Sequence, residues 1–136
     1  MKEAINKVFT WQSYFGRDNG VQDHTIALYP KCVNKETAQA RIDFILEELE
    51  EYRVSNEAGD IVGVLDAILD ILYFAFGMIV IHGLHNIADK GFDIVHKANM
   101  SKLWPGNVVK ITANGKVLKP DTFIRPEPEL EKLFDR

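Results

Sequence analysis

The stretch GVLDAILDILYFAFGMIVIHG, residues 63–83, limits the fold more than any other part of the chain. It is apolar on every side of a helix, which is the pattern of a helix packed on several faces. Yet it carries two acids, Asp66 and Asp70, about 40° apart on the helical wheel and facing the same direction. A run of this length also suits a membrane span. Against that, each central aspartate costs roughly 2.5–3.5 kcal/mol on insertion, and no lysine or arginine cluster flanks either end. The central helix of a soluble bundle is the better reading. Both carboxylates are then expected to be at least partly buried, where ionised acids need a paired cation or a metal.

The rest of the chain organises around that helix. Residues 3–15 show helical spacing through Ile5, Val8, Phe9 and Tyr14, ending at Gly16, and residues 17–33 read as a loop with Pro30. Asn34 is a candidate N-cap for a helix over 35–55, whose apolar stripe is Ile42, Ile45, Leu49 and Tyr52. Asp60 can cap the helix over 61–82 and Gly83 can end it, with a fourth helix over 86–100. The segment VVKITANGKVLKP alternates on either side of Asn114-Gly115, the strongest short hairpin signal, and one more short helix can follow Pro126 and Pro128. The expected fold is all-α: a bundle of four to five helices around a central acidic helical hairpin, with a small C-terminal β-hairpin. It forms one domain over 1–136, the hairpin and tail taking up 105–136, and its apolar faces suit a homo-oligomer such as a homodimeric bundle.

Composition narrows the partners. A net charge of −4 and a pI of about 5.5 argue against a nucleic-acid duplex, though not against a small anion neutralised by metal. The lone Cys32 gives no disulfide framework and no zinc pair, so a reducing cytoplasm is the expected setting. The start MKEAINKVFTWQSYFG, with its early acid and no apolar core, does not read as a signal peptide.

Acidic side chains carry the chemistry. In EELEE, Glu47, Glu48 and Glu51 share one flank of their helix, Glu48 nearest the apolar stripe, while Glu50 points away. A glutamate run is ordinarily a solvated face, and Arg41 or Arg53 could hold the aspartates in a structural salt bridge. A divalent metal explains more, because an antiparallel hairpin would set the glutamates opposite Asp66 and Asp70. All-oxygen ligands favour Mg²⁺ or Mn²⁺ over zinc, and so many carboxylates exceed the charge of one ion. Mg²⁺ recruits substrate phosphates, which points to a phosphoryl reaction. Basic groups follow at a helix C-terminus (Lys97, Asn99, Lys102) and on the hairpin (Lys110, Lys116, Lys119), where capping and edge protection are the ordinary roles. Trp11 and Phe15 sit one turn apart and either pack in the core or stack a base. His82 and His85 have no third ligand nearby, and they, His96 and His24 read as non-metal residues.

Four segments, RIDFILEELEEYR, DAILDILYFAFG, FDIVHKANMSKL and NGKVLKPDTF, stand in this order between about residues 5 and 125. Together they resemble the MazG-like, all-α nucleoside triphosphate pyrophosphohydrolases, nearest the short phage and bacterial branch labelled phosphoribosyl-ATP pyrophosphohydrolase-like. The resemblance implies a Mg²⁺-binding helical hairpin that cleaves between the α and β phosphates, in a dimer or dimer of dimers whose neighbouring subunits complete the site. Its EExxE motif falls on Glu47, Glu48 and Glu51. Its second motif, commonly ExxD, does not match fully: Asp70 fits the last position, position 67 is alanine, and the other acid is Asp66. Whether Asp66 binds metal directly or through water is left open.

Carried over, the resemblance makes Glu47 the catalytic base and Glu48, Glu51, Asp66 and Asp70 the ligands of two or more Mg²⁺ ions, with Mn²⁺ as a substitute. Asn99, Lys102, Lys116, Lys119 and Trp11 become nucleotide and phosphate contacts. The expected reaction turns a (d)NTP, a purine such as dGTP among the candidates, into the monophosphate and pyrophosphate. The setting is the cytoplasm, the host's if the gene is a phage's, with no duplex or membrane partner. The alternatives are hydrolysis of phosphoribosyl-ATP and a non-catalytic helical dimer that binds partners.

Overall fold

The computed structural model describes residues 1–16 and 25–135; part of the predicted loop, with His24, lies outside them. The chain divides into two compact units, Met1–Asn86 and Ile87–Arg136.

The first unit holds α1 (Lys2–Phe15), α2 (Lys35–Glu57) and α3 (Ile61–Ile81). The starts of α2 and α3 follow from side-chain caps. Asn34 Oδ1 accepts from the Thr37 N–H at 2.8 Å, and Asp60 Oδ1 accepts from the Val62 and Gly63 N–H groups at 3.1 Å each. Gly59, at φ 68°, supplies the left-handed residue that turns α2 into α3. Asp60→Ala is therefore expected to cost about 1 kcal/mol, read as a lower midpoint in thermal or urea unfolding.

One register runs along the α2–α3 hairpin. A Cβ on Gly63 would meet the Ser55 hydroxyl, Glu48 feels the charge of Asp70, Phe44 stacks on Phe74 with centroids 5.0 Å apart, and a Cβ on Gly77 would meet Arg41. Positions fall along α2 as they rise along α3, in equal steps, as an antiparallel pair requires. The core of the unit is Ile5 and Val8 of α1 with Ala67, Val80 and Ile81 of α3, closed by Ala27. Ala27 N–H reaches Val80 O at 3.4 Å, and Lys31 N–H reaches His82 O at 3.0 Å.

Only Ala67, Gly77, Val80 and Ile81 of α3 are buried. Leu65 and Leu69 are more than half exposed. By length and composition α3 could cross a membrane. The expected burial of both aspartates holds for one of them: Asp70 is half-buried and Asp66 exposed.

The second unit holds α4 (Ala88–Met100) and α5 (Glu127–Glu131), with a 3-10 turn over Lys132–Phe134. Leu130 and Leu133 lie against Gly91 of α4. The chain is all-α, and the predicted C-terminal β-hairpin is not formed: among the described residues there is no β-strand, only the isolated antiparallel bridges Trp104–Val108 and Ile111–Val117. The Asn114-Gly115 turn itself is made, with Thr112 N–H to Lys116 O at 2.9 Å, Leu118 N–H to Lys110 O at 2.8 Å and Gly115 at φ 84°. Turn chemistry alone does not extend into a ladder. Val109, Ile111, Val117 and Leu118 are all exposed, so neither face of the ribbon gains burial, and a lone two-stranded ribbon is marginal in water.

Candidate functional site

The acidic group forms on the α2–α3 hairpin around Glu48. This side chain is half-buried, and its Oε2 is buried with no hydrogen-bond partner. Burial first, then the charges of Glu51, Asp70 and Glu47, hold its carboxyl above the ordinary glutamate range. Three of the other four predicted carboxylates thus act on Glu48. Asp66 does not join them. It lines a separate shallow depression with Asp60, Gly63 and Leu65, because it stands about 100° round the helix from Ala67, the buried residue of that turn. Of the two arginines that could neutralise the acids, Arg41 lines one cavity with Asp70. Arg53 pairs with Glu50 at 2.5 Å and Glu57 at 2.7 Å along α2, and Arg41 is buried.

The donor set fits a hard divalent ion in kind: all oxygens, one of them buried and unsatisfied. It is not a closed cage, since among the described residues no group of three or more His, Cys, Asp or Glu side chains converges closely enough to hold an ion. Mg²⁺ is ordinarily bound by one or two carboxylates plus water and substrate phosphate, so an open carboxylate cluster suits it.

Asp70 also belongs to a second feature, a cavity of about 330 Å³ lined by Trp11, Gln12, Arg41, Asp70, Tyr73 and Gly77, among others. Trp11 stacks on Phe15 at 4.8 Å and meets Tyr73 edge-on at 6.2 Å. Neither Trp11 nor Phe15 is a core residue; both are exposed. His82 Nδ1 lies 2.8 Å from Lys31 O, and His85 packs on Phe9 with its Nδ1 buried and without a hydrogen-bond partner.

In the second unit three predicted phosphate contacts share one cavity of about 520 Å³, lined by Asn99, Lys102, Lys119, Phe123, Arg125 and Glu127, among others. Lys102 Nζ donates to Asn99 Oδ1 at 2.8 Å, and Lys119 Nζ sits 4.7 Å above the Phe123 ring. Lys116 is not in the lining; its backbone N–H goes to Thr112 Oγ1 at 3.0 Å. Arg125, whose Nε is 3.5 Å from Glu127 Oε2, escapes the sequence reading. Its signal was a cation directly after the NGKVLKPDTF segment.

The first unit thus carries an antiparallel helical hairpin with carboxylates gathered around Glu48, and the second a cavity lined by Lys102 and Lys119. The family model described as phosphoribosyl-ATP pyrophosphohydrolase matches residues 21–99, more than half of the sequence. The chain belongs to that family, within the MazG-like superfamily, and is a hydrolase of the pyrophosphohydrolase type. No curated protein matches it.

Proposed function

We propose that residues 1–136 act as a single divalent-metal-dependent pyrophosphohydrolase domain that cleaves the α–β phosphoanhydride of a nucleotide, releasing pyrophosphate. The observation that carries this is Glu48: a buried, unpartnered carboxylate oxygen pressed by Glu47, Glu51 and Asp70, in a chain of the pyrophosphohydrolase family. Left as it is, that oxygen is a cost to the fold; with a cation beside it, it is a ligand.

Glu48, Glu51 and Asp70 are the proposed Mg²⁺-binding acids, one or two of them meeting an ion directly while water and phosphate complete its shell, with Asp66 acting through water because it stands apart and exposed. Bound Mg²⁺ would supply charge neutralisation for the triphosphate. Glu47 is exposed, and there it orients the attacking water and takes its proton. Asn99, Lys102, Lys116 and Lys119 contact phosphate oxygens, with Lys102 held by Asn99. Cations over aromatic rings, as Lys119 is over Phe123, remain available to anions on their other side.

Two substrates meet this description. The family match favours phosphoribosyl-ATP. The resemblance to the short MazG-like branch supports a free (d)NTP, for pool control in the cytoplasm. Pyrophosphate release from phosphoribosyl-ATP and a panel of ribo- and deoxynucleoside triphosphates, with Mg²⁺, with Mn²⁺ and with chelator, separates them. Metal-dependent release from one of them is the expected result; no release from any of them, with the protein folded, refutes the proposal.

Self-association is part of the same proposal. Leu46 and Leu49 of α2 and Leu65, Leu69 and Leu72 of α3 are exposed in the single chain, and contiguous apolar exposure of this kind marks an interface. Sedimentation velocity is expected to give a mass above that of the monomer.

A further inference from the structure

We infer that Glu127 is a built-in competitor for phosphate in the cavity of the second unit. It holds Arg125 until a phosphate group takes the guanidinium, and by taking Arg125 back it speeds the release of pyrophosphate. This rests on the reading of Lys102 and Lys119 as phosphate contacts, and adds to it a residue that sets how tightly the product is held.

Two pieces of chain build the cavity. Asn99 and Lys102 come from the end of α4 and just beyond it, and Lys119, Phe123, Arg125 and Glu127 come from the tail. Ser101 ties the two together. Its hydroxyl donates to Ala98 O at 2.7 Å and accepts from the Ile124 N–H at 2.9 Å, so the neighbour of Arg125 is fixed against the helix end. Pro126 stands at the N-cap of α5, which makes Glu127 the first residue of that helix.

Charge distinguishes this cavity. Three cations, Lys102, Lys119 and Arg125, line it against one acid, Glu127, in a chain whose net charge is −4. Lys102 rests on the neutral Asn99 Oδ1 at 2.8 Å, and Lys119 on the Phe123 ring at 4.7 Å. Arg125 is the cation whose partner is itself an anion, with Nε 3.5 Å from Glu127 Oε2. Glu127 holds its charge firmly: its carboxyl lies below the ordinary glutamate range, through its own backbone N–H first and through Arg125 and Lys119 after it. Two of the three cavity cations thus act on this one carboxylate, where a bound anion would also stand.

The Arg125–Glu127 pair is suited to exchange. Its side chains are 73% and 63% exposed, and the contact is a single one through Nε rather than a two-bond fork. Exposed pairs of this kind are weak. A phosphate group brings more negative charge than a carboxylate, and oxygens that a guanidinium meets with two parallel bonds. It therefore displaces Glu127, whose side chain has open solvent to turn into. After cleavage, pyrophosphate is no longer held through the nucleoside, and Glu127 competes for Arg125 on better terms.

The test uses the full chain and inorganic pyrophosphate in the presence of chelator, titrated by calorimetry, so that neither metal nor turnover enters. Wild type is expected to bind it, and Glu127→Gln to bind it about three- to fivefold more tightly, the worth of an exposed pair. Arg125→Gln should bind it about tenfold more weakly, as the loss of a charged hydrogen bond costs; Arg125→Lys, which keeps the charge and loses the fork, takes its place if that protein does not fold. Two further proteins separate competition from net charge. Glu129→Gln removes the same charge from the same helix, but Glu129 pairs with Lys132 at 2.5 Å and does not line the cavity, so its affinity should match wild type. In the Arg125→Gln background, Glu127→Gln should gain nothing, because the group competed for is gone. No binding of pyrophosphate, no gain for Glu127→Gln, an equal gain for Glu129→Gln, or a gain that persists without Arg125 overturns the inference. Inhibition of nucleotide turnover by pyrophosphate is measured beside it, and Glu127→Gln should be inhibited at about three- to fivefold lower concentration. Turnover with unchanged inhibition overturns the role of Glu127 while the reaction stands. Affinities that follow the expected pattern, with no release from any nucleotide, leave Glu127 assigned and refute the reaction instead.

Discussion

Glu48→Gln is expected to abolish pyrophosphate release and, in metal-free protein at neutral pH, to raise the unfolding temperature. Few substitutions of a functional group move activity and stability so far in opposite directions. The loss should be about 100-fold or more, beyond what removing an outer partner of a metal ligand costs. The gain comes from removing a negative charge that burial and three neighbouring acids disfavour. The pH dependence has a definite sign. In the folded protein this carboxyl holds its proton to higher pH than in the unfolded chain, so folding favours the protonated form. Below the ordinary glutamate range both states are protonated and the two proteins should unfold alike. As pH rises from there through the raised folded value, wild type loses stability relative to the glutamine variant, and above that value the gap stays constant. Adding Mg²⁺ should stabilise wild type by mass action and leave Glu48→Gln unmoved. Thermal melts across pH, with Mg²⁺ and with chelator, read all of this. A wild type that is indifferent to Mg²⁺ would remove the metal from the proposal.

Local signals placed the helices well. Asn34 and Asp60 are N-caps whose side chains reach the first-turn N–H groups, and Gly16 and Gly83 follow the ends of α1 and α3. The EELEE flank and Asp70 meet because two long helices joined by a short turn have few ways to pair. Tertiary burial was harder to read. The alternation around Asn114-Gly115 looked like a ribbon, but alternation predicts strands only where one face is covered, and Val109, Ile111 and Val117 are bare. The apolar run of α3 implied burial on all sides, whereas the single chain covers only four of its residues. Gln12 could not be found by pattern: it looks like ordinary helix surface in sequence, yet it is buried beside Gly77, where a Cβ would crowd it.

Glu47→Gln and Asp66→Asn separate the base from the acids that merely stand nearby. Glu47 is exposed on α2, yet its charge reaches Glu48, so it is both near the cluster and open to water. A group so placed can orient a water and accept its proton, and losing a general base typically costs about 10²–10⁴-fold. Glu47→Gln should fall in that range with an unfolding temperature no lower than that of wild type, because an exposed amide replaces an exposed carboxylate and one charge pressing on Glu48 is removed. Asp66→Asn should cost about tenfold, the low end for a partner acting through water. The sequence alone made Asp66 and Asp70 equivalent, one turn apart on one face. The structure separates them: Asp70 is half-buried beside Glu48, and Asp66 lines its own depression with Asp60 and Leu65. Asp70→Asn should therefore lose about 100-fold or more. Turnover of the three variants at saturating Mg²⁺ decides the matter. If Asp66→Asn falls as far as Asp70→Asn, the hairpin must rotate in the working enzyme to bring Asp66 to the metal. If Glu47→Gln keeps wild-type turnover, the base must be sought among Glu48, Glu51 and Asp70, whose proton affinities the cluster itself sets.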